Sequence, residues 1–197
     1  TELLSVIDMS GLIILVIIQM IHAMKMARSN RALEKMAYVD AHTGLPNKSR
    51  CEEILNDTEV ICEMTACMMF DLNNLKVVND TKGHSAGDQL IFEFAQLLRK
   101  VIPEDDFVGR YGGDEFMAVI YDTNKQEIEE ILEKLCIEIE QHNHNENTEA
   151  ISYAHGWALS NEYENCSMQL LFDRADCYMY ENKQLCKKRE RYAAKNI

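Results

Sequence analysis

Cations are scarce in this chain: 20 Lys and Arg face 33 Asp and Glu, a formal net charge of −13 over 197 residues. A surface that binds a nucleic-acid backbone must be basic enough to release its counterions, so no nucleic-acid partner is expected. An anionic substrate would need local help, from a divalent cation held by the acids and from a few placed lysines. The chain also lacks any CxxC pair or His-rich zinc-like cluster. Its seven cysteines, at 51, 62, 67, 136, 166, 177 and 186, are odd in number and scattered, which reads as reduced thiols of a cytosolic compartment. There is no internal repeat and no low-complexity tract. A secretory leader is missing too: the chain opens on Thr1, Glu2 stands where a basic region belongs, and no small-residue cleavage site follows. The expectation is a piece of a longer protein whose upstream region is not included. What is present in quantity is apolar: 47% of residues are hydrophobic, enough for one sizeable core plus an appended segment.

That appended segment is N-terminal. Met9 to Met24 carries no formal charge, and its apolar character reaches back to Leu3 across Asp8. This is close to the roughly 20 residues needed to span about 30 Å of hydrocarbon. Lys25, Arg28, Arg31 and Lys35 follow, opposed only by Glu34. Residues 1–24 therefore read as a transmembrane segment, with everything beyond on the cytoplasmic side of the inner membrane. An amphipathic or buried helix is the alternative, because Asp8, Gln19 and His22 are costly in lipid. Residues 25–39 read as a connector helix. The 4-3-4-3 spacing of His22, Met26, Ser29, Leu33 and Met36 suits a short parallel coiled coil.

A turn-rich stretch from Asp40 to Asn47 opens a globular domain over residues 40–197. Val60 to Leu72 is apolar and short enough for a buried strand that delivers Asp71 at its C-terminal end. Helices are expected over 73–81 and 85–101, the second with Leu90, Phe94, Leu97, Leu98 and Val101 on one face. Segments 107–111 and 115–121 flank Gly112-Gly113-Asp114 as a β-hairpin, with glycine at positive φ in its turn. A helix over 125–142, a strand over 149–159 and a helix over 168–185 complete an α/β chain of the α+β sandwich kind. Helices would cover a mostly antiparallel sheet.

Asp71 after the first strand, and Asp114 with Glu115 at the hairpin, are the acids best placed for chemistry. Neighbouring strands can bring such tips together, where mutually repelling carboxylates favour a hard cation such as Mg²⁺. Mg²⁺ held by one or two carboxylates completes its shell with water and substrate phosphates, so nucleotide chemistry is its natural use. Asp-Glu at a turn, or a Gly-Gly pair, taken alone is more often plain surface.

Three blocks in order make the reading specific: Asp40-Ala41-His42-Thr43-Gly44-Leu45-Pro46-Asn47, then Phe70 to Asp88, then Arg110-Tyr111-Gly112-Gly113-Asp114-Glu115-Phe116. Together they resemble the GGDEF diguanylate cyclase family over about residues 37 to 190. The resemblance implies a palm-like fold and the condensation of two GTP into cyclic di-GMP and two pyrophosphates, in a homodimer with one GTP per domain. It implies Mg²⁺, with Mn²⁺ as the other candidate, held by Asp71, Asp114 and the Leu72 carbonyl. Glu115 would complete that shell or help deprotonate the attacking 3′-hydroxyl. Asn79 and Asp88 would read the guanine edge. Lys76, Lys183 and Lys187 would meet phosphates, and Gly112 and Gly113 would let the backbone approach the nucleotide.

The pattern also departs from the family's. His42 stands where leucine is commoner, and Asn73 and Leu75 replace the commoner Asp and Phe. Lys187 stands in place of an arginine. An Arg-x-x-Asp motif that binds inhibitory product becomes Pro103-Glu104-Asp105-Asp106, so that site is expected to be absent or weak. The competing functions are a catalytically silent GTP-binding or dimerisation module, and another metal-dependent nucleotidyl cyclase, which GTP and ATP would tell apart.

Overall fold

A computed structural model of the chain describes residues 11–12, 14–27, 37–56, 61, 64–145 and 148–195, in two compact units, Thr1–Val39 and Asp40–Ile197. In the first unit residues 14–27 form a helix, α1, whose apolar side chains, among them Leu15, Ile17, Ile18 and Ile21, are about half exposed. Among the described residues no helix is long and apolar enough to cross a membrane. The expected span over 1–24 rests partly on residues 1–10 and 13, and the connector stripe on 28–36, which lie outside the described residues.

The second unit runs α2 (Lys48–Leu55), β1 (Ala66–Leu72), α3 (Leu75–Lys82), α4 (His84–Val101), β2 (Phe107–Arg110), β3 (Glu115–Ile120), α5 (Lys125–Asn143), β4 (Tyr153–Leu159) and α6 (Met168–Lys195). The strands form one sheet in the order β2-β3-β1-β4, and every pairing is antiparallel. The fold is therefore α+β with helices on an antiparallel sheet, as the order of elements predicted.

Successive strand residues point to opposite faces, and here each face has its own helices. Met68, Phe70 and Leu72 of β1 join Phe116 and Ala118 of β3 in a core closed by Leu90, Phe94 and Leu98 of α4 and Ile128 and Leu135 of α5. Cys67 and Met69 join Met117 and Val119 on the other face, against α2 and against Leu171, Ala175 and Met179 of α6. All seven residues of β1 are buried. Counting by twos from Cys67, the next side chain on the α6 face after Met69 is Asp71.

β4 is built to take α6 closely. Its residues on that face are small, Ala154, Gly156 and Ala158. A Cβ on Gly156 would fall 2.1 Å from the Met179 backbone nitrogen and 2.3 Å from the Ala175 carbonyl oxygen. The helix thus lies directly on the strand at that point.

Element ends differ from the expected ones for reasons visible in the hydrogen bonds. β4 starts at Tyr153 rather than 149. The Asn143 amide holds the Ile151 backbone by both its N–H (2.8 Å) and its carbonyl (2.9 Å), and the Ser152 carbonyl accepts from Asn73 N–H (2.8 Å). Those backbone groups are committed elsewhere. β1 starts at Ala66, and the Ile61 N–H goes instead to the Cys166 carbonyl (2.9 Å). α5 starts where expected, behind a capping box of Asn124 and Glu127. α6 runs ten residues beyond Leu185 to Lys195, since no Gly or Pro stops it.

Candidate functional site

β1 and β3 pair in a register that sets Asp71 directly opposite Glu115. Both side chains lie on the α6 face, because Met69 and Met117, two residues from each, do so. Asp71 is only 5% exposed, and α6 meets it with Lys183, whose Nζ donates to Asp71 Oδ1 at 2.5 Å. Asp114 belongs to the hairpin loop, and its carbonyl accepts the Leu72 N–H (2.9 Å), locking the loop to the end of β1. Leu72 is the last residue of that strand and is buried.

The hairpin turn is not held as expected. Neither Gly112 nor Gly113 is among the residues at positive φ. The loop is closed instead by side-chain donors: Arg110 Nε donates to the Gly112 carbonyl (3.2 Å) and Arg110 Nη2 to the Gly113 carbonyl (2.8 Å). The N–H groups of Tyr111 and Gly112 both go to the Glu115 carbonyl. With the loop pinned from outside, no left-handed residue is needed. Gly112 matters through close approach, since a Cβ there would stand 2.5 Å from Glu115 Oε2; at Gly113 a Cβ would meet nothing within 4 Å.

Arg110 is itself held by Asp40, through Nη1 at 3.2 Å. Burial pushes the Asp40 carboxyl upward, but two bonds from Thr43 and the Arg110 guanidinium outweigh it and hold it below the usual carboxylate value. The opening turn is thereby a brace for the hairpin, a use that spacing alone does not reveal. Asp106, the one residue kept from the inhibitory motif, accepts the Tyr121 N–H (2.9 Å) and so closes the far end of the hairpin.

Glu115 carries the clearest electrostatic mark. Its pKa is raised, first by burial and then by the carboxylates of Asp114, Asp71 and Asp176, with Lys183 opposing. Asp176 was not singled out from sequence, although it sits seven residues before Lys183 on α6, close to two helical turns and hence on the same face. Because folding raises its pKa, Glu115 contributes stability that is fully present below its unfolded value, about 4.3. That contribution is lost as pH rises through the folded value. Glu115→Gln should therefore melt at a higher temperature than the native chain at pH 7 in chelator, and the gain should vanish near pH 4. Equal melting temperatures at pH 7 would show that the carboxylates do not strain one another.

The other expected residues lie along α3 and α4. Lys76 is exposed in the first turn of α3, a helix that follows Asn74 in a left-handed conformation and has no side-chain cap, so its first N–H groups are left for other acceptors. Asn79, half-buried, lies so close to Gly87 that a Cβ there would stand 2.0 Å from Asn79 Oδ1. Asp88, the next residue, is exposed. Lys187 falls within α6, but its side chain lies outside the described residues.

Among the described residues no three His, Cys, Asp or Glu side chains form a ready-made metal cage. The donor set is nonetheless oxygen only, and its crowded carboxylates gain from a hard divalent cation. A Mg²⁺ ion that keeps waters and substrate phosphates in its shell asks for just one or two protein carboxylates. The residues fit that cation.

The sequence model of the diguanylate cyclase GGDEF domain matches residues 37–189. The chain belongs to the GGDEF family. This GGDEF domain is 31% identical over 183 residues to the signaling protein YkoW of Bacillus subtilis, covering 88% of this chain and 22% of YkoW. It is 30% identical over 169 residues to the diguanylate cyclase DgcN of Escherichia coli, covering 81% of this chain and 40% of DgcN. The chain thus spans well under half the length of these relatives. In fold it is similar to the coiled coil and GGDEF domain of DgcB from Caulobacter crescentus, solved in complex with c-di-GMP. There the TM-score is 0.74, with 23% identity over 84% of this chain and 91% of that one. Members of this family make cyclic di-GMP, and signalling through that nucleotide is the setting in which the site is to be understood.

Proposed function

We propose that this chain is an active diguanylate cyclase, condensing two GTP into cyclic di-GMP and two pyrophosphates as a homodimer with one GTP per domain. The observation that carries the reading is the pairing of Asp71 with Glu115 across β1 and β3, beside Lys183 and the Asp114 loop. In each half-reaction the 3′-oxygen of one GTP forms a bond to the α-phosphorus of the other, the bond to pyrophosphate breaks, and the 3′-hydroxyl proton leaves. Two such steps close the ring.

Asp71, Asp114, Glu115 and the Leu72 carbonyl would hold Mg²⁺, which when bound neutralises charge at the phosphates and acidifies the hydroxyl. Glu115, opposite Asp71 across the strand pair, is alternatively placed to take the hydroxyl proton. The uncapped start of α3 offers N–H groups to phosphate oxygens, and Lys76 adds a mobile charge from the same turn. Lys183, whose Nζ bonds Asp71 in the protein alone, would be the cation at hand for a phosphate were Mg²⁺ held at that carboxylate. Asp88 accepts from guanine N1–H and N2–H₂ while the Asn79 amide donates to O6. Much of the acceleration then comes from holding the two nucleotides in line.

In this reading the N-terminal segment attaches the domain to the cytoplasmic membrane, which the exposed apolar side chains of α1 support. Facing of the two domains would be under the control of an upstream sensor. The test is product formation by the purified, detergent-solubilised chain with GTP and Mg²⁺, read by mass spectrometry beside an Asp114→Ala, Glu115→Ala double variant. Cyclic di-GMP from the native chain alone is the expected result. GTP binding without product, from confirmed dimers, would favour a silent regulatory module instead, and product from ATP another nucleotidyl cyclase.

A further inference from the structure

His42 projects from a turn that is itself rigid. Thr43 donates to Asp40 Oδ1 by its backbone N–H (2.8 Å) and its hydroxyl (2.7 Å). The backbone bonds Gly44 N–H to the Asp40 carbonyl and Asp40 N–H to the Leu45 carbonyl close the loop at 2.9 and 2.8 Å. From this platform the imidazole reaches α4, where Nε2 lies 2.7 Å from the Asp88 carbonyl oxygen. A carbonyl can only accept, so Nε2 carries the proton; the oxygen's second lone pair remains for its own helix. The ring also meets Phe92, one turn further along α4, edge to face at 6.2 Å.

The start of α4 needs such a contact. Its N-cap is Gly83, at φ 89°, with no side-chain cap bond, so the helix opens on the least restrained residue type and without its usual anchor. The Asp88 side chain is exposed and gains little from packing, so where its carboxylate points depends on where the backbone is held. On one side the backbone before it is fixed by the close approach of Gly87 to Asn79. On the other, the His42 bond fixes Asp88 itself.

We infer that His42 is a specificity-determining positioning residue: its Nε2–H bond to the Asp88 carbonyl sets the carboxylate that distinguishes guanine from bases lacking the 2-amino group. The inference rests on the reading of Asp88 as a guanine contact. It assigns a role to a position where the family more often has leucine, which cannot donate this bond.

The test compares binding of 3′-deoxy-GTP and 3′-deoxy-ITP, which lack the nucleophile and so are not consumed, to the full native chain and to Asp88→Ala, His42→Leu and His42→Gln. Inosine lacks the 2-amino group, so the ratio of the two dissociation constants reads the Asp88 contact and does not depend on the fraction of protein folded. Asp88→Ala should lower the native preference for guanine. His42→Leu should lower it by roughly three- to tenfold, the worth of about one hydrogen bond, while His42→Gln, with an amide N–H at similar reach, should keep most of it. Native preference retained in His42→Leu but lost in Asp88→Ala overturns the role of His42 alone. Equal loss in His42→Leu and His42→Gln overturns the hydrogen-bond account. Native preference retained in Asp88→Ala overturns the reading of Asp88, and this inference with it.

Discussion

Asp71→Asn should cut cyclic di-GMP formation by about a thousandfold, the scale seen when a preorganised group that stabilises transition-state charge is removed, and should leave the domain folded. The amide keeps the shape of the carboxylate and can still accept from Lys183, whose Nζ now bonds Asp71 Oδ1. What it loses is the anionic oxygen opposite Glu115, and with it the charge proposed to help hold a hard cation. Two electrostatic effects on stability oppose each other. Lys183 loses a charged partner at a site where its side chain is 22% exposed, which destabilises. Glu115 loses one of the carboxylates that raise its pKa, which stabilises. The net change should be within about 1 kcal/mol, checked by thermal melting beside the product assay. A variant that is folded and retains a tenth of native activity would remove Asp71 from the proposed metal site.

The largest stability effect is expected from a single added methyl group. In Gly156→Ala the new Cβ would stand 2.1 Å from Met179 N, 2.3 Å from Ala175 O and 2.7 Å from Tyr178 C, all backbone atoms of α6. No side-chain rotation relieves such contacts, so the helix must move away from β4. Overpacking of this kind costs about 3 kcal/mol or more, which for a domain of this size lowers the melting temperature by roughly 10 °C. Activity should fall as well, because α6 carries Lys183 and Asp176 to the site. Gly113→Ala is the internal control for stability: a Cβ there meets nothing within 4 Å, so its melting temperature should match the native one. If Gly156→Ala melts with the native chain, α6 is not seated on the strand as described.

Elements and motifs were legible wherever a local period carried them. The apolar run that becomes β1, the glycine pair between the hairpin segments and the apolar face of α4 are each written within a few residues of chain. The acids at the strand ends could therefore be named in advance. The three family blocks added the family, and with it the proposed substrate and reaction, which no periodicity contains.

The expected positive φ at Gly112 and Gly113 failed because a glycine pair admits left-handed turns without requiring them. Here Arg110 closes the loop from the side, and Asp40, 70 residues earlier in the chain, holds Arg110. Asp176 escaped notice for a related reason: one acid on a helix rich in polar residues has no local signal, and only the packing of α6 on β4 turns it toward Glu115. The His42 bond to Asp88 spans 46 residues and the Lys183 bond to Asp71 spans 112.

The sequence by itself thus determined the order of elements, the family and which acids stand at the strand ends, because these depend on side-chain period and on motifs contiguous in the chain. Only the tertiary structure decided which side chains hold those acids in place. That depends on the register between strands and on the depth at which α6 sits on a stripe of small residues, and neither is encoded within any one segment.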